Sequence, residues 1–399
     1  MITITDKTKC CGCGACFNIC PKHCITMKAD DEGFAYPAVD KDLCINCGLC
    51  EKACPVLHVP SLTRKPQAYA AKHISDEIKL KSSSGGMFTA LAEYILARNG
   101  VVFGAGFDKN WNVCHQYVET IDDLDKLRRS KYVQSDIGRT FEQAKNFLIQ
   151  GREVLFTGTP CQIAGLKNYL GKDYANLLTA DIICHGVPST AVWKKFLAET
   201  IPASSISAID FRHKRFGWDA SYLNISLKNG VNLPQAGGVF KYCKGFLNRS
   251  KGKFFRAIYT LPYTISNIYE RPSCHACAFK GKYKSADFTM ADLWGVKAIM
   301  PEMYDEKGIS VLMINSPKAE SVFEKLAQNL VYKAVSLEAV AKYNPYFLRP
   351  TSPSPHREVF FKSFCKGESF YKIMSRYKKR GVKLLLPKLL RFAGGAKIL

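Results

Sequence analysis

The residues best suited to chemistry in this sequence are cysteines, because eight of them repeat one spacing. The pattern C-x2-C-x2-C-x3-C-P occurs twice near the start of the chain. Three cysteines on one such loop hold three irons of a [4Fe–4S] cubane, and the fourth, which we expect to open a short helix, binds the other cluster. The predicted ligand sets are Cys10, Cys13, Cys16 and Cys54 for one cluster, and Cys20, Cys44, Cys47 and Cys50 for the second.

Structural zinc is the alternative for a cysteine-rich segment. Zinc sites, however, use paired C-x2-C ligands and do not need eight cysteines in this doubled order. Residues 1–60 resemble the bacterial two-cluster ferredoxin, and they match it at every ligand position. The resemblance implies a domain that moves single electrons and performs no chemistry on carbon. The remainder of the chain must therefore supply another cofactor or a docking surface.

Four later cysteines also lie in suggestive settings. Cys161 and Cys184 each end a predicted strand, and Cys274 and Cys277 form a C-x2-C pair. Together they could hold a third cluster, while zinc at the C-x2-C pair and buried structural thiols are the alternatives. The remaining cysteines are interpreted as structural: Cys11, Cys24, Cys114, Cys243 and Cys365.

The elements that must position these residues alternate between strand and helix. Short apolar runs at 100–107, 177–184 and 308–315 predict strands, as does 153–161, a strand that runs into a Gly/Pro turn, and helical patterns follow or precede them. Such alternation predicts an α/β domain with a largely parallel or mixed sheet, in a chain that is α+β overall. Residues 205–270 are aromatic-rich, and their elements cannot be ordered. Linkers rich in Pro and Ser at 59–66 and 349–355 predict three parts, 1–60, 61–350 and 351–399.

Composition limits the class of protein. The chain has 399 residues, 47% of them hydrophobic, with 17 cysteines and a formal net charge of +23. It is too long for a small disulfide scaffold, it begins without an apolar signal segment, and no apolar run reaches the 18 or so residues of a membrane span. We therefore expect a cytoplasmic protein whose cysteines bind metal or carry out redox chemistry.

The order of motifs in the larger part looks like the coenzyme F420 hydrogenase/dehydrogenase beta-subunit family. The matching segments are SSSGGMFTALAEYI (82–95), SKYVQS (130–135), LFTGTPCQIAGL (155–166), DIICHGVPS (181–189) and CHACAFKGKYKSADFTMADLWG (274–295). The resemblance covers roughly residues 66–330 and implies bound FAD and a [4Fe–4S] cluster. The implied cluster ligands are Cys161, Cys184, Cys274 and Cys277. Family members differ in their hydride partner, so the family name does not fix the substrate.

A flavin site is also suggested by the residues themselves. The run SSSGGM precedes a helical pattern, where free backbone N–H groups and the helix dipole suit a diphosphate, although Ser-Gly is also a common helix cap. The candidate contacts are Ser84, Gly85, Gly86 and Met87 in this run, Gly158, Thr159 and Pro160 after a strand, and Asp292, Trp294 and Gly295 at the ring. By resemblance only, Lys131, Tyr132 and Gln134 are added. A core Trp with a turn Asp is the alternative at 292–295, and no catalytic residue is assigned.

These observations predict an iron–sulfur flavoprotein oxidoreductase. It would pass electrons between ferredoxin-type clusters and a hydride-accepting small molecule through FAD. The expected partners are ferredoxin-type or other electron-transfer proteins, and no nucleic acid. Basic residues of FRHKRFGW, among them Arg212, Lys214 and Arg215, could line an entry for an anionic substrate, unless they form a solvated face. The alternatives are an electron-transfer subunit that feeds a partner reductase, and a redox-sensitive interaction module without flavin.

The C-terminal residues carry a separate prediction. The last 49 residues, 351–399, hold 12 Lys and Arg against 2 Asp and Glu, and 370–392 mix these with large apolar residues. This composition suits peripheral contact of residues 370–399 with an anionic membrane at the inner face of the cell, or an acidic partner. A C-terminal helix packed on its own domain is the alternative.

Overall fold

The computed structural model describes residues 1–60, 65–235, 259–260, 266–281 and 285–377. In these ranges the strands are β1 (Ile25–Ala29), β2 (Ala35–Val39), β3 (Gln67–His73), β4 (Val101–Phe107), β5 (Val113–Val118), β6 (Val154–Thr157), β7 (Leu177–Ile182), β8 (Ile206–His213), β9 (Tyr222–Leu227), β10 (Asn232–Gln235), β11 (Phe288–Asp292), β12 (Ser310–Ile314) and β13 (Leu330–Ala334). The α-helices are α1 (Ala15–Ile19), α2 (Leu49–Lys52), α3 (Asp76–Lys81), α4 (Met87–Leu96), α5 (Thr140–Ile149), α6 (Pro160–Leu170), α7 (Thr190–Thr200), α8 (Val296–Ile299), α9 (Pro317–Leu326), α10 (Leu337–Tyr343) and α11 (Arg357–Cys365).

The N-terminal segment is a small unit with internal repetition. Strands β1 and β2 pair antiparallel, with Ile25 opposite Val39. Helices α1 and α2 each begin after a glycine in the left-handed conformation, Gly14 and Gly48, both at a φ of 73°. The expectation that the fourth cysteine opens the helix is wrong for both repeats, because Gly14 and Gly48 already turn the chain into α1 and α2. Cys20 ends α1, and Cys54 follows α2.

The larger part contains a mixed eight-stranded sheet in the order β13-β3-β12-β11-β7-β6-β4-β5, which confirms the predicted α/β class. Within the sheet, β4 runs parallel to β6, β6 to β7, and β7 to β11. Strand β12 lies between β11 and β3 and runs antiparallel to both. The carboxyl ends of the parallel strands, and of β3, therefore lie at one edge of the sheet. Ligands of open α/β sheets bind outside this edge.

Helices cover both faces of the sheet. Along β4, Val102 packs into one apolar cluster, which includes Leu91 of α4 and Phe323 of α9. Its neighbours Val101 and Phe103 pack into another, which contains residues of α5 and α6. Successive side chains of a strand point to opposite faces, so a strand covered on both sides is apolar throughout. This explains the continuous apolar run of the sequence.

Residues 206–235, which the sequence could not order, form a separate antiparallel sheet, β10-β9-β8. Phe211 of β8 packs against Trp193 of α7 at a ring-centroid distance of 5.0 Å, in an apolar cluster that also contains Leu223 and Ile225 of β9. Residues 370–377 are helical, and Phe370 and Ile373 are buried in the same cluster. This start of the C-terminal segment therefore packs on its own domain. The rest of the predicted membrane-contacting segment, 378–399, lies outside the described residues.

Two further expectations concern the chain as a whole. Across the stretches that the structure describes, no helix is both long enough and apolar enough to cross a bilayer. The boundary at residue 350 stays a prediction, but α11 does not stand apart from the N-terminal segment, since Arg357 forms an ion pair with Glu32.

Candidate redox site

The predicted second ligand set lines one cavity of the N-terminal segment. The cavity wall contains Cys20, Cys44, Cys47 and Cys50, so a cysteine of the first repeat joins three of the second. Cys47 is exposed, and the neighbouring Ile45 is 58% exposed. A fifth thiol, Cys24, lines the same cavity with its Sγ 3.3 Å from that of Cys20. We refer to this cavity as the outer cavity.

The predicted first ligand set lines a second cavity, here the inner cavity. Its wall contains Cys10, Cys13 and Cys16 of the first repeat and Cys54 of the second, so the two repeats exchange their fourth cysteines. The first three are buried. The structure thus brings together both crossed sets that the duplicated spacing predicts. Each group of four thiols surrounds one cavity, as the corners of a cubane require.

Backbone N–H groups point at these sulfurs. Those of Gly12, Ala15 and Phe17 donate to the thiols of Cys10, Cys13 and Cys16 respectively. Burial nevertheless raises the pKa of Cys16 to about 12. A thiol must lose its proton to bind iron, and metal binding supplies the positive charge that makes this favourable. Hydrogen bonds to ligand sulfurs also help to set the reduction potential of a cluster.

The four later cysteines come together at the carboxyl edge of the sheet. Cys161 is the second residue of α6 and directly follows the β6 turn, while Cys184 follows β7. Cys274 lies in the 3₁₀ turn Pro272–Ala276, and Cys277 ends that turn. Charge on Cys161 and Cys277 acts on Cys184, and charge on Cys184 and Cys161 acts on Cys274. Their ligand role stays a proposal.

A site for a single metal ion needs all its ligands around one point, whereas a cubane takes one thiolate at each of four corners. Within the described ranges, no group of three or more His, Cys, Asp or Glu side chains is arranged to hold a single metal ion.

Cys11 is a contact that the sequence did not reveal. Interpreted there as structural, it lines the inner cavity, and its thiol is within hydrogen-bonding reach of both Cys13 and Cys161. It therefore bridges the inner cavity and the third cysteine group. The only sequence signal is its place beside Cys10 on the ligand loop, which says nothing of a partner 150 residues away. Cys24, only four positions after the ligand candidate Cys20, was also interpreted as structural but lines the outer cavity. Cys243 lies outside the described residues.

The SSSGGM run, a flavin candidate of the sequence, lies between β3 and α4 and contacts the start of β12. Gly86, at a φ of 97°, starts α4, and no side chain caps the helix. The N–H of Gly85 donates to Oγ of Ser310 at 2.8 Å, and a Cβ on Gly85 would lie 2.6 Å from the carbonyl oxygen of Ala71. Ser84 donates to the Ile309 carbonyl, whereas the side chain of Met87 is buried in the core. The uncapped backbone at the start of this helix is thus held rigidly beside the sheet edge.

Asp292 and Trp294 lie next to this run, because Asp292 pairs in register with Ser310. Asp292 forms an ion pair with Arg212 and accepts a hydrogen bond of 2.8 Å from Nε1 of Trp218. The rings of Trp218 and Trp294 stack at 5.1 Å, and Trp294 is 38% exposed. Nη2 of Arg212 is buried and forms no hydrogen bond. An unpaired buried donor beside an exposed indole fits a flat, anionic ligand.

Two further basic and aromatic side chains complete this region. Nζ of Lys214 donates to the carbonyls of Lys79 at 2.8 Å and Ser84 at 2.9 Å, which ties β8 to the SSSGGM run. Burial lowers the pKa of Lys214 to about 7. The hydroxyl of Tyr132 lies within reach of the Arg212 guanidinium. The candidates Ser84, Gly85, Gly86, Tyr132, Asp292 and Trp294 are therefore joined by Ser310, Arg212 and Lys214.

The other flavin candidates have different contacts. Nζ of Lys131 donates to the carbonyls of Leu127 and Arg128, at 3.1 and 2.7 Å. Gln134 donates to the carbonyl of Cys11 at 3.1 Å, beside the inner cavity.

The turn after β6 and the glycine after Trp294 are also placed differently. Gly158, Thr159 and Pro160 form the turn that starts α6, with the Thr159 hydroxyl 3.2 Å from Sγ of Cys161. A Cβ on Gly295 would lie 2.3 Å from the ring of Tyr343, so this glycine is needed for packing. The turn of Gly158, Thr159 and Pro160 therefore lies beside Cys161 of the third cysteine group.

Three family models match this chain. The 4Fe-4S dicluster domain matches residues 9–57. The N-terminal part of the coenzyme F420 hydrogenase/dehydrogenase beta subunit matches residues 68–141, and its C-terminal part matches residues 151–340. The motif order in the sequence had indicated this combination, which is confirmed.

The individual relatives have low sequence identity to this chain. The coenzyme F420 hydrogenase subunit beta of Methanosarcina barkeri (strain Fusaro / DSM 804) is 24% identical over 224 residues, which are 55% of this chain and 67% of that protein. A chain in a structure of the F420-reducing [NiFe] hydrogenase complex from Methanosarcina barkeri is 17% identical, with a TM-score of 0.43, over 79% of this chain and 91% of that one. Because the two beta-subunit models together match more than half of the chain, it belongs to the coenzyme F420 hydrogenase/dehydrogenase beta-subunit family of oxidoreductases and carries an N-terminal [4Fe–4S] dicluster domain.

Proposed function

We propose that this chain is an iron–sulfur flavoprotein that passes electrons between [4Fe–4S] clusters and a hydride-accepting small molecule through FAD. The observation that carries the proposal is a continuous order of sites. The outer cavity opens beside the exposed Cys47, three of the four thiols at the inner cavity are buried, and the Cys11 thiol lies within hydrogen-bonding reach of Cys13 at the inner cavity and of Cys161 in the third group. A route for single electrons therefore leads from the surface to the sheet edge.

In this proposal the chain's cysteines hold three clusters. The outer and inner cavities take one cluster each, and Cys161, Cys184, Cys274 and Cys277 take the third. The outer cluster faces an electron-transfer partner, because Cys47 and the apolar side chains beside it are exposed there. Burial around the inner thiols excludes water, and the backbone donors at their sulfurs favour the thiolate form.

FAD is proposed to bind at the carboxyl edge of the sheet. The backbone N–H groups at the start of α4 suit its diphosphate, and the unpaired Nη2 of Arg212 suits a ring or phosphate oxygen. Lys214 supports the site indirectly, because its Nζ donates to the carbonyls of Lys79, Ser84 and Lys307 and so holds the SSSGGM run in place. The exposed face of Trp294 suits stacking against a flat ring. Bound FAD takes up a hydride as two electrons and exchanges them one at a time with iron–sulfur centres. Substrate identity and direction of flow are not part of the proposal.

Anaerobic purification with iron and flavin analysis tests this proposal. Three cubanes predict about 12 irons per chain, and two predict about 8. Arg212→Gln should lower FAD affinity at least tenfold, because a buried charge-assisted bond contributes roughly 1.5–3 kcal/mol, and it should leave the iron content unchanged. Arg215→Gln is the matched control, since Arg215 is exposed on the same chain segment. A fully metallated chain that neither retains nor takes up FAD would contradict the proposal.

A dedicated electron-transfer subunit is the second candidate. It is favoured by the relative's description as a subunit and by the structural match to a chain of a hydrogenase complex. In that case the isolated chain would carry its clusters and FAD but would not turn over a small molecule with reduced ferredoxin as donor. Turnover by the isolated chain excludes this alternative.

A further inference from the structure

The backbone of Arg271 lies beside the third cysteine group, whereas its side chain reaches the inner cavity. It directly precedes the 3₁₀ turn that carries Cys274, and its carbonyl accepts a hydrogen bond of 2.9 Å from the N–H of Cys274. Its own N–H donates to the carbonyl of Val187 at 3.0 Å, close to Cys184 in the chain. The side chain, in contrast, extends into the N-terminal segment and is fully buried.

The guanidinium ends at the inner cavity. Nε donates to the carbonyl of Cys10 at 2.8 Å, and Nη2 donates to the carbonyl of Ala35 at 2.9 Å and to Sγ of Cys10 at 3.6 Å. Nη1 donates to Oε1 of Gln134 at 3.0 Å, and the group lies 4.4 Å from the ring centre of Tyr36. A bidentate planar cation is thus held in one orientation against a predicted ligand sulfur.

The ligand loop is shaped to admit this cation. A Cβ on Gly12 would lie 2.7 Å from Nη1 of Arg271, and Gly12 has a φ of +67°. Glycine at this position therefore allows both the turn of the loop between Cys10 and Cys13 and the close approach of the guanidinium.

Arg271 has no protein counter-ion in the part of the chain that is described. Its acceptors there are neutral carbonyl and amide oxygens and the Cys10 sulfur, and no carboxylate lies within ion-pair distance. A buried charge without a partner is strongly unfavourable, so buried cations are paired with anions or bound to them. A cubane held by four thiolates carries a net charge of about −2 in its oxidised form and would supply the missing anion.

We propose that Arg271 is the buried counter-ion of the cluster held by Cys10, Cys13, Cys16 and Cys54, and that it sets the reduction potential of this cluster. This inference rests on the proposed cluster at the inner cavity but not on FAD. Reduction adds one negative charge to a cluster, and a fixed neighbouring cation stabilises the reduced form. Arg271 therefore raises the potential of the inner cluster relative to the same cluster without this charge. The charge of Arg271 also acts on Cys161, so it influences the third cysteine group as well, although less directly.

A redox titration of the full chain, followed by electron paramagnetic resonance under anaerobic conditions, tests the inference. Arg271→Gln removes the charge and should lower the potential of one cluster selectively. We expect at least a tenfold change in its reduction equilibrium, about 59 mV for a one-electron couple. The outer cluster should keep its potential. Arg271→Lys keeps a charge but not the planar fork, and it should shift the same signal by less.

Arg357→Gln is the matched control. Arg357 also bridges the N-terminal segment and the rest of the chain, through Glu32 and the carbonyl of Glu270, but none of its described contacts is a cluster cysteine. It should leave all cluster potentials unchanged. Unchanged potentials in a fully metallated Arg271→Gln chain would overturn the inference.

Two outcomes separate this inference from the proposed function. If Arg271→Gln does not assemble its iron, Arg271→Met, which also removes the charge, decides, and an inner-cluster potential equal to that of the unmodified chain then overturns the inference. If the unmodified chain holds only about 8 irons, the third cluster is lost from the proposed function, but the inner-cluster shift still tests Arg271. Absence of FAD likewise affects the proposed function alone.

Discussion

Replacing Cys54 with serine tests the crossed assignment of the N-terminal ligands. Cys54 lies in the second repeat, yet its side chain lines the inner cavity with three cysteines of the first. The variant should therefore lose the buried cluster and keep the exposed one. Iron should fall by about four per chain, since one cubane holds four irons, and the remaining signals should be unaltered.

The decisive measurement compares four variants by electron paramagnetic resonance. Cys54→Ser and Cys10→Ser should remove the same signal, because these two thiols share a cavity, and Cys20→Ser and Cys44→Ser should both remove the other one. A soluble paramagnetic relaxation agent should act mainly on the signal that survives in Cys54→Ser, because Cys47 of the outer cavity is exposed. Cys365→Ser is the control, since Cys365 lines neither cavity. If Cys54→Ser instead resembles Cys44→Ser, the ligands are not crossed and the reasoning fails.

Three further perturbations test the fold around the site. Gly85→Ala should destabilise the chain by about 1–3 kcal/mol in urea unfolding, because the new Cβ would lie 2.6 Å from the Ala71 carbonyl; a cost near zero would show that the SSSGGM run is not held rigidly. Burial lowers the pKa of His115 to about 4, below its ordinary value of about 6.5. The unfolded chain thus binds a proton first as the pH falls, so the free energy of unfolding should drop by about 3 kcal/mol between pH 6.5 and pH 4, and His115→Gln should remove this dependence. Phe370→Ala should cost about 3–5 kcal/mol, since the ring is fully buried; an unchanged denaturation midpoint would mean that residues 370–377 do not pack on the domain in solution.

The features that sequence predicted well are those that depend on spacing along the chain. The duplicated cysteine pattern predicts both ligand groups because each loop needs three closely spaced thiols, and the exchange of Cys20 and Cys54 follows from the cubane. Continuous apolar runs predict the strands of the large sheet, since a strand covered on both faces has no polar side. The SSSGGM run was predicted to precede a helix, and Gly86 does so at the start of α4, because a turn before a helix is a local property of the sequence.

The features that sequence missed depend on contacts between distant segments. Nothing local marks Arg271 as the neighbour of Cys10, which lies 261 positions earlier. Gln134 was assigned to the flavin by resemblance, and this stays a prediction; its hydrogen bond to the Cys11 carbonyl joins segments 123 positions apart, which nothing local in the sequence marks. Strands β8 to β10 expose part of their side chains and pair only with one another, so their sequence has neither a continuous apolar run nor a clear helical period.

Helix α6 explains how two redox sites are held at a fixed separation. Cys161 is its second residue, and Gly165 follows one turn later on the same face, since residues four apart in a helix lie above one another. A Cβ on Gly165 would lie 3.0 Å from Sγ of Cys13, so this face of α6 packs directly against the inner cavity. The same helix thus carries a ligand candidate of the third group and contacts a ligand candidate of the inner cluster. Because α6 is anchored in the core of the sheet through Ile163 and Leu166, the spacing between the two sites is set by the rigid part of the fold rather than by a loop. Electron transfer between fixed centres needs such a constant separation, and a helix joined to both sites provides it without any motion of the chain.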